Sequence, residues 1–116
     1  MNNSYVIAPI PESMARQALD LAKSLKQDSP YRYKHLVADV LSDLTKINLE
    51  YYFLRPIELF KMGSFSEKIA NMAIHVAYSA ITRFVKRGIE KLSDDQLIIL
   101  ADLIEECVFL NKEDIP

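Results

Sequence analysis

The sequence contains only two glycines, Gly63 and Gly88, among 116 residues. Small sheet proteins need glycine in their turns, whereas helical bundles need few. The scarcity argues against a β-sandwich or barrel and predicts an all-α protein. It also excludes the glycine-rich loop with which many nucleotide-binding proteins hold phosphate.

Cysteine is nearly absent, since Cys107 is the single one. One cysteine excludes an intramolecular disulfide and is compatible with a reducing compartment. No run of 18 apolar residues free of charge is present, so no transmembrane helix is expected. The first residues lack the basic segment and long apolar run of a secretory signal. We therefore expect a soluble, cytoplasmic protein without a membrane partner.

Positive charge is also in deficit, because the net charge is −2 and the pI is near 5.6. A general electrostatic attraction to nucleic acid or to anionic membranes is therefore not expected. Two segments are locally basic although the whole chain is acidic. One is residues 31–35, and the other contains Arg83, Lys86, Arg87 and Lys91. Without a recognition motif, they do not outweigh the acidic total, and nucleic acid is not a predicted partner.

The periodicity of apolar residues predicts one helical domain over residues 1–116, arranged as an antiparallel up-down bundle of four main helices. Pro9 and Pro11 favour an extended arm over residues 1–10, which we expect to lie against the bundle or a neighbouring copy. Residues 111–116 form a polar tail that is expected to fray. The four helices are predicted at residues 11–27, 30–54, 65–91 and 94–110.

Local signals define the ends of these helices. Ser64 with Glu67, and Ser93 with Gln96, have the spacing of capping boxes. Gly63 is the expected left-handed cap of the segment before it. Pro56 should kink or end the second helix, and it biases Arg55, the residue before it, away from the helical region.

The second helix has one apolar seam at alternating three- and four-residue steps, formed by Val37, Val40, Leu44, Ile47, Tyr51 and Leu54. The opposite face should be solvated, with His35, Asp39, Ser42, Asp43, Lys46 and Glu50. The third helix is apolar around most of its circumference, which predicts a central position with Val76 in the core. Cys107 falls on the apolar seam of the last helix.

Residues 49–62 are apolar on two faces, so one bundle surface cannot cover them. Their aromatic and methionine content is typical of interfaces, and we expect a homodimer. The candidate interface residues are Leu49, Tyr52, Phe53, Ile57 and Phe60. The alternative is that this segment closes one end of its own core.

No set of residues has the spacing of a catalytic, cofactor or metal centre. His35, Asp39 and Asp43 lie on one helical stripe that could bind a divalent metal, but an open stripe beside Lys46 is expected to be ordinary solvated surface. His75 lacks the context of a haem ligand or a phosphate acceptor. We therefore expect no cofactor and no resident metal.

Two functions remain open from the sequence. The first is a non-enzymatic, oligomeric helical bundle that acts through protein–protein interaction, as an adaptor or regulator. The second is a small-molecule sensor or enzyme with a pocket between the second and third helices. Its candidate lining is Tyr51, Tyr52, Arg55, His75 and Tyr78, which would suit a planar acid or cofactor.

Overall fold

A computed structural model describes residues 6–27 and 29–115, and every regular element in these ranges is helical. The four main helices are α1 (Glu12–Gln27), α2 (Lys34–Leu49), α4 (Ser64–Glu90) and α5 (Asp94–Cys107), with a short α3 (Arg55–Leu59) between α2 and α4. The other elements are two 3-10 turns (Pro30–Tyr33 and Lys112–Asp114) and a π-helical segment (Glu50–Leu54). The predicted all-α class, with four main helices packed up and down, is confirmed. None of the described helices is long and apolar enough to cross a membrane.

The core lies between α1, the first half of α2, and α5. Leu25, Val37 and Leu97 are its largest fully buried side chains, and Ile89 near the end of α4 joins it. Leu44 is half-buried and packs against this core, as its place on the apolar seam predicts. Ile10 also packs against it, so the arm contacts its own bundle there.

A branched ion pair joins α1 to α5 at the surface. The Lys26 ammonium lies 2.5 Å from Asp102 and 2.7 Å from Glu105. The hydrogen bond to Asp102, followed by that to Glu105, raises the pKa of Lys26 above its ordinary value. Both acids therefore serve in helix packing rather than as a free pair of carboxylates.

The predicted second helix, residues 30–54, consists of three different helical forms. Pro30 starts a 3-10 turn, α2 follows, and the π-helical segment completes it. Arg55 is helical, with φ −54° and ψ −46°, against the bias that Pro56 gives the residue before it. A proline ring clashes with the carbonyl four residues earlier and offers no N–H. The π-helical segment widens the helix just before Pro56, which gives the ring space and lets the helix continue with a local irregularity.

Two predicted caps, Gly63 at the end of one helix and Ser64 at the start of the next, differ in the structure. The N–H of Met62 donates to Ile57 and that of Lys61 to Glu58, which is a Schellman motif with Lys61 in the left-handed region at φ 53°. Gly63 does have a positive φ, 96°, but it precedes α4 as its N-cap. Ser64 is already helical, and no side chain caps this helix.

The predicted central position of the third helix is wrong. In the described residues, α4 packs against α2, the π-helical segment and α3, and it does not pack along α1 or α5. Its buried side chains are Ile74 and Ile89, whereas Val76 is 69% exposed. The reason is that α1 and α5 cover each other and the start of α2, which leaves α4 with one neighbouring face.

Two smaller predictions about burial are also wrong. Ser42 is buried, because α4 covers the side of α2 that was expected to face solvent. Cys107 is exposed, since α5 ends at that residue and the backbone turns extended at Val108. Val108 takes the buried position instead.

Candidate functional site: an exposed apolar surface

Large apolar side chains in contact with solvent concentrate on three consecutive elements. Each of them is more than half exposed on the π-helical segment, on α3 with the turn that follows, or on α4. We call this set the apolar surface: Phe53, Leu59, Phe60, Met62, Phe65, Ile69, Met72, Val76 and Phe84.

The predicted interface residues divide into two groups in the structure. Phe53 and Phe60 are 61% and 76% exposed and belong to the apolar surface. Leu49, Tyr52 and Ile57 are half-buried. Phe53 therefore lies outside the surface with which α2 packs into the core. Contact of these residues with a second chain stays a prediction.

The π-helical segment explains how apolar residues come to lie on two sides of one helix. The N–H of Arg55 donates to the carbonyl of Glu50, five residues earlier. The wider turn contains about one extra residue, which rotates everything after it by about 100° relative to α2. The apolar stripe of α2 therefore does not continue into α3, and Leu59 and Phe60 emerge into solvent.

Tyr52 also contacts the N-terminal arm. Its hydroxyl donates a hydrogen bond to the carbonyl of Ile7, and its ring meets that of Tyr51 edge to face, with centroids 5.2 Å apart. The hydrogen bond attaches residues 6–10, the part of the predicted arm that the structure describes, to the π-helical segment; residues 1–5 lie outside the described residues. Val6 and Ile7 themselves remain exposed.

The five residues of the alternative pocket occupy different places. Tyr51 and Arg55 line a shallow groove of about 220 Å³ with Pro9, on the side of the arm. His75 is exposed on α4. Tyr78 is half-buried, with the Lys46 ammonium 5.4 Å from its ring centroid. Tyr52 is bound to the arm, so the geometry gives these side chains no shared concave centre.

The two predicted basic clusters meet at the far end of α2 and α4. Arg32, Lys34 and His35 share a groove of about 850 Å³ with Lys86, and Asp39 and Glu90 line it too. The Lys34 ammonium donates to the carbonyl of Glu90 at 3.0 Å, which satisfies the C-terminal end of α4. Nearby carboxylates and the C-terminal end of α4 therefore compensate positive charge in this groove, and the groove does not require a bound anion.

The stripe His35, Asp39 and Asp43 is exposed on α2. Among the residues that the structure describes, no three or more His, Cys, Asp or Glu side chains are placed to hold a metal ion. A further groove, of about 690 Å³, lies between the arm and the segment after α5 and includes Leu44 and Cys107. Its lining is largely apolar and carries no catalytic pairing.

Sequence reasoning missed the outer face of α4, because it took an apolar circumference as a sign of burial. The sequence predicts a third helix that is covered on most sides, yet Phe65, Ile69, Met72 and Val76 are all exposed. The helical repeat places these residues on a different side of α4 from Ile74, and this difference could have predicted a second, uncovered face.

The chain was compared with family models, curated proteins and solved structures, and it matches none of them.

Proposed function

We propose that the protein is a non-enzymatic, oligomeric helical bundle that acts by binding other proteins, in an adaptor or regulatory role, and that it forms a homodimer. The observation that carries the proposal is the apolar surface on the π-helical segment, α3 and α4. Monomeric proteins rarely leave a large contiguous apolar patch in water, and such patches mark interaction sites.

The total surface supports the same proposal. The chain exposes 8558 Å², whereas a compact monomer of its mass exposes roughly 6,500 Å². The excess, about 2,000 Å², is larger than the roughly 800 Å² that each partner contributes to a stable interface. A second chain could therefore cover the apolar surface without any rearrangement of the core.

The chemical character of the apolar surface also supports protein binding. It contains four phenylalanines and two methionines, which are residue types enriched at the centres of protein interfaces. Phenylalanine side chains bury large areas and lose little conformational freedom when they do so. The adaptor or regulatory role follows from these features by analogy with other bundles, and no particular partner is implied.

The substitution Phe53→Glu tests the proposal. Phe53 is already 61% exposed, so a glutamate there should leave the monomer folded and helical while it separates the dimer. Burying a phenylalanine is worth about 1.5–3 kcal/mol, and a charge in its place adds a desolvation cost. Sedimentation of wild type and variant measures the effect.

Ile99→Glu is the matched control, because Ile99 is 67% exposed on α5, outside the apolar surface. We expect Ile99→Glu to sediment like wild type. A variant Phe53→Glu that stays fully dimeric would exclude this part of the surface from the interface. The segment would then act within its own chain, as in the alternative of a small-molecule pocket.

A cytoplasmic location belongs to the same proposal. Its support is the exposed, unpaired thiol of Cys107, which is typical of a reducing compartment.

A further inference from the structure

Six exposed apolar residues of α4 are spaced symmetrically about one point. Phe65, Ile69, Ala73, Val76, Ala80 and Phe84 are all exposed, and the steps between them are four, four, three, four and four residues. The centre of this pattern falls between Ile74 and His75. Read from either end, the spacing is identical.

These six residues form one face of the helix. At 100° per residue they fall within an arc of about 100°, and the buried Ile74 lies on the other side of the helix. The face is therefore free along the length of α4 while the helix stays docked through its opposite side. Met72 lies at its edge and is also exposed.

We infer that this face pairs with the same face of a second copy, with the two α4 helices antiparallel about a two-fold axis near residues 74 and 75. The inference rests on the proposed function and names the central surface of its dimer. A two-fold interface needs a self-complementary patch, and the symmetric spacing provides one.

Antiparallel pairing about this axis places each bulky side chain against a suitable partner. Ile69 meets Ala80 of the second copy, and Val76 meets its Ala73. Phe65 meets Phe84 at each end. The alanines are small, so they let the two helix axes approach closely along the contact.

The exposed area is sufficient for such a contact. Phe65 and Phe84 are 75% and 79% exposed, and together they present roughly 300 Å² of apolar surface. Ile69, Met72 and Val76 add to this area at the centre. Phe60 and Met62 lie immediately before α4, so they extend the surface toward the roughly 800 Å² per partner of a stable dimer.

Charge permits the antiparallel arrangement. The pairing brings Arg83 and Arg87 of one copy to the start of α4 in the other. That region contains Glu58 and Glu67 as well as Lys61 and Lys68, so its formal charge is balanced. In a parallel pair, by contrast, Arg83 and Arg87 of both copies would lie side by side and repel each other.

Cross-linking tests the direction and register. In a Cys107→Ser background, chains carrying Ile69→Cys are mixed with chains carrying Ala80→Cys and treated with a short bifunctional thiol reagent. The mixture should form covalent dimers. Each variant alone should not, because residue 69 is about 16 Å along the helix from its own symmetry mate, and residue 80 likewise.

Val76→Glu provides a second, independent readout. Val76 is exposed in the single chain, so the variant should fold, yet the dimer dissociation constant should rise about a hundredfold because the change enters a two-fold interface twice. His75→Glu is the control, since His75 is exposed on α4 outside the six-residue face. It should change the constant much less.

Efficient cross-linking of either variant alone, or equal cross-linking in all samples, would overturn the antiparallel pairing. A dimer that Phe53→Glu dissociates and Val76→Glu leaves intact would overturn this inference and keep the proposed function. A wild-type chain that stays monomeric would overturn both. Capture of a different protein on this face, with no self-association, also contradicts the inference.

Discussion

Burial of individual side chains depends on how many helices surround each position, and this number differs between equally apolar residues. Leu25 and Leu97 lie where α1, α2 and α5 meet, and both are fully buried. Val76 belongs to an equally apolar stretch, but α2 covers only the opposite side of α4. Hydrophobicity alone therefore does not distinguish a core residue from one that is exposed in the single chain.

A pair of substitutions measures this difference. Leu97→Ala should lower the free energy of unfolding by about 2–5 kcal/mol, because it removes buried methyl groups and leaves a cavity. Val76→Ala should change it by less than about 0.5 kcal/mol, because the side chain is already in water in the single chain. Urea unfolding at low protein concentration gives both values. A larger loss for Val76→Ala than for Leu97→Ala would mean that α4 is packed inside its own bundle.

At the scale of elements, the sequence predicts that a helix exists more reliably than how it begins and ends. Ser93 and Gln96 form the predicted capping box, with the Gln96 N–H donating to Ser93 at 3.2 Å and the Ser93 N–H donating to Gln96 at 2.9 Å. Ser64 and Glu67 have the same spacing, but α4 begins one residue earlier, after Gly63. The Schellman turn before α4 determines where that helix starts. The spacing of Ser64 and Glu67 does not predict this turn.

The two serines form a matched pair for experiment. Ser93→Ala should cost about 1 kcal/mol of stability, since it removes the acceptor that satisfies an N–H at the start of α5. Ser64→Ala should cost less than about 0.5 kcal/mol, because its side chain caps nothing. Thermal or urea denaturation of both variants compares them directly. Equal losses would contradict the assigned start of α4.

The π-helical segment shows a second limit to prediction from the sequence at the scale of elements. Pro56 predicts an irregularity in the second helix, and an irregularity is present. Whether a proline ends a helix, bends it or shifts its hydrogen bonds depends on the packing of the turn before it. Here that turn packs against α4, so the helix is held together and continues as α3.

At the scale of the molecule, composition and periodicity predict the all-α class and the four main helices, while the arrangement of the helices could not be predicted. The seam of α2 predicts a neighbour but does not say which helix provides it. For α4, an apolar circumference is equally compatible with a central helix and with a helix that needs a second chain. The sequence does predict Phe53 and Phe60 as candidate interface residues, because one bundle surface cannot cover both apolar faces of their segment.

The shape of the molecule reflects this arrangement. Its radius of gyration is 16.0 Å and its extents are 48 × 34 × 29 Å, whereas a compact domain of this length has a radius of roughly 13 Å. This larger radius agrees with the packing of α4, which contacts α2, the π-helical segment and α3 but neither α1 nor α5. A second copy on that side would bury the apolar surface and complete the bundle.

The mass of the wild-type chain in solution tests this central claim most directly. Sedimentation equilibrium over a series of concentrations, from low to high micromolar, should show a reversible rise from 13.3 kDa to twice that mass, and the rise should be insensitive to salt because apolar contacts drive it. A single species at 13.3 kDa throughout the series would contradict the account.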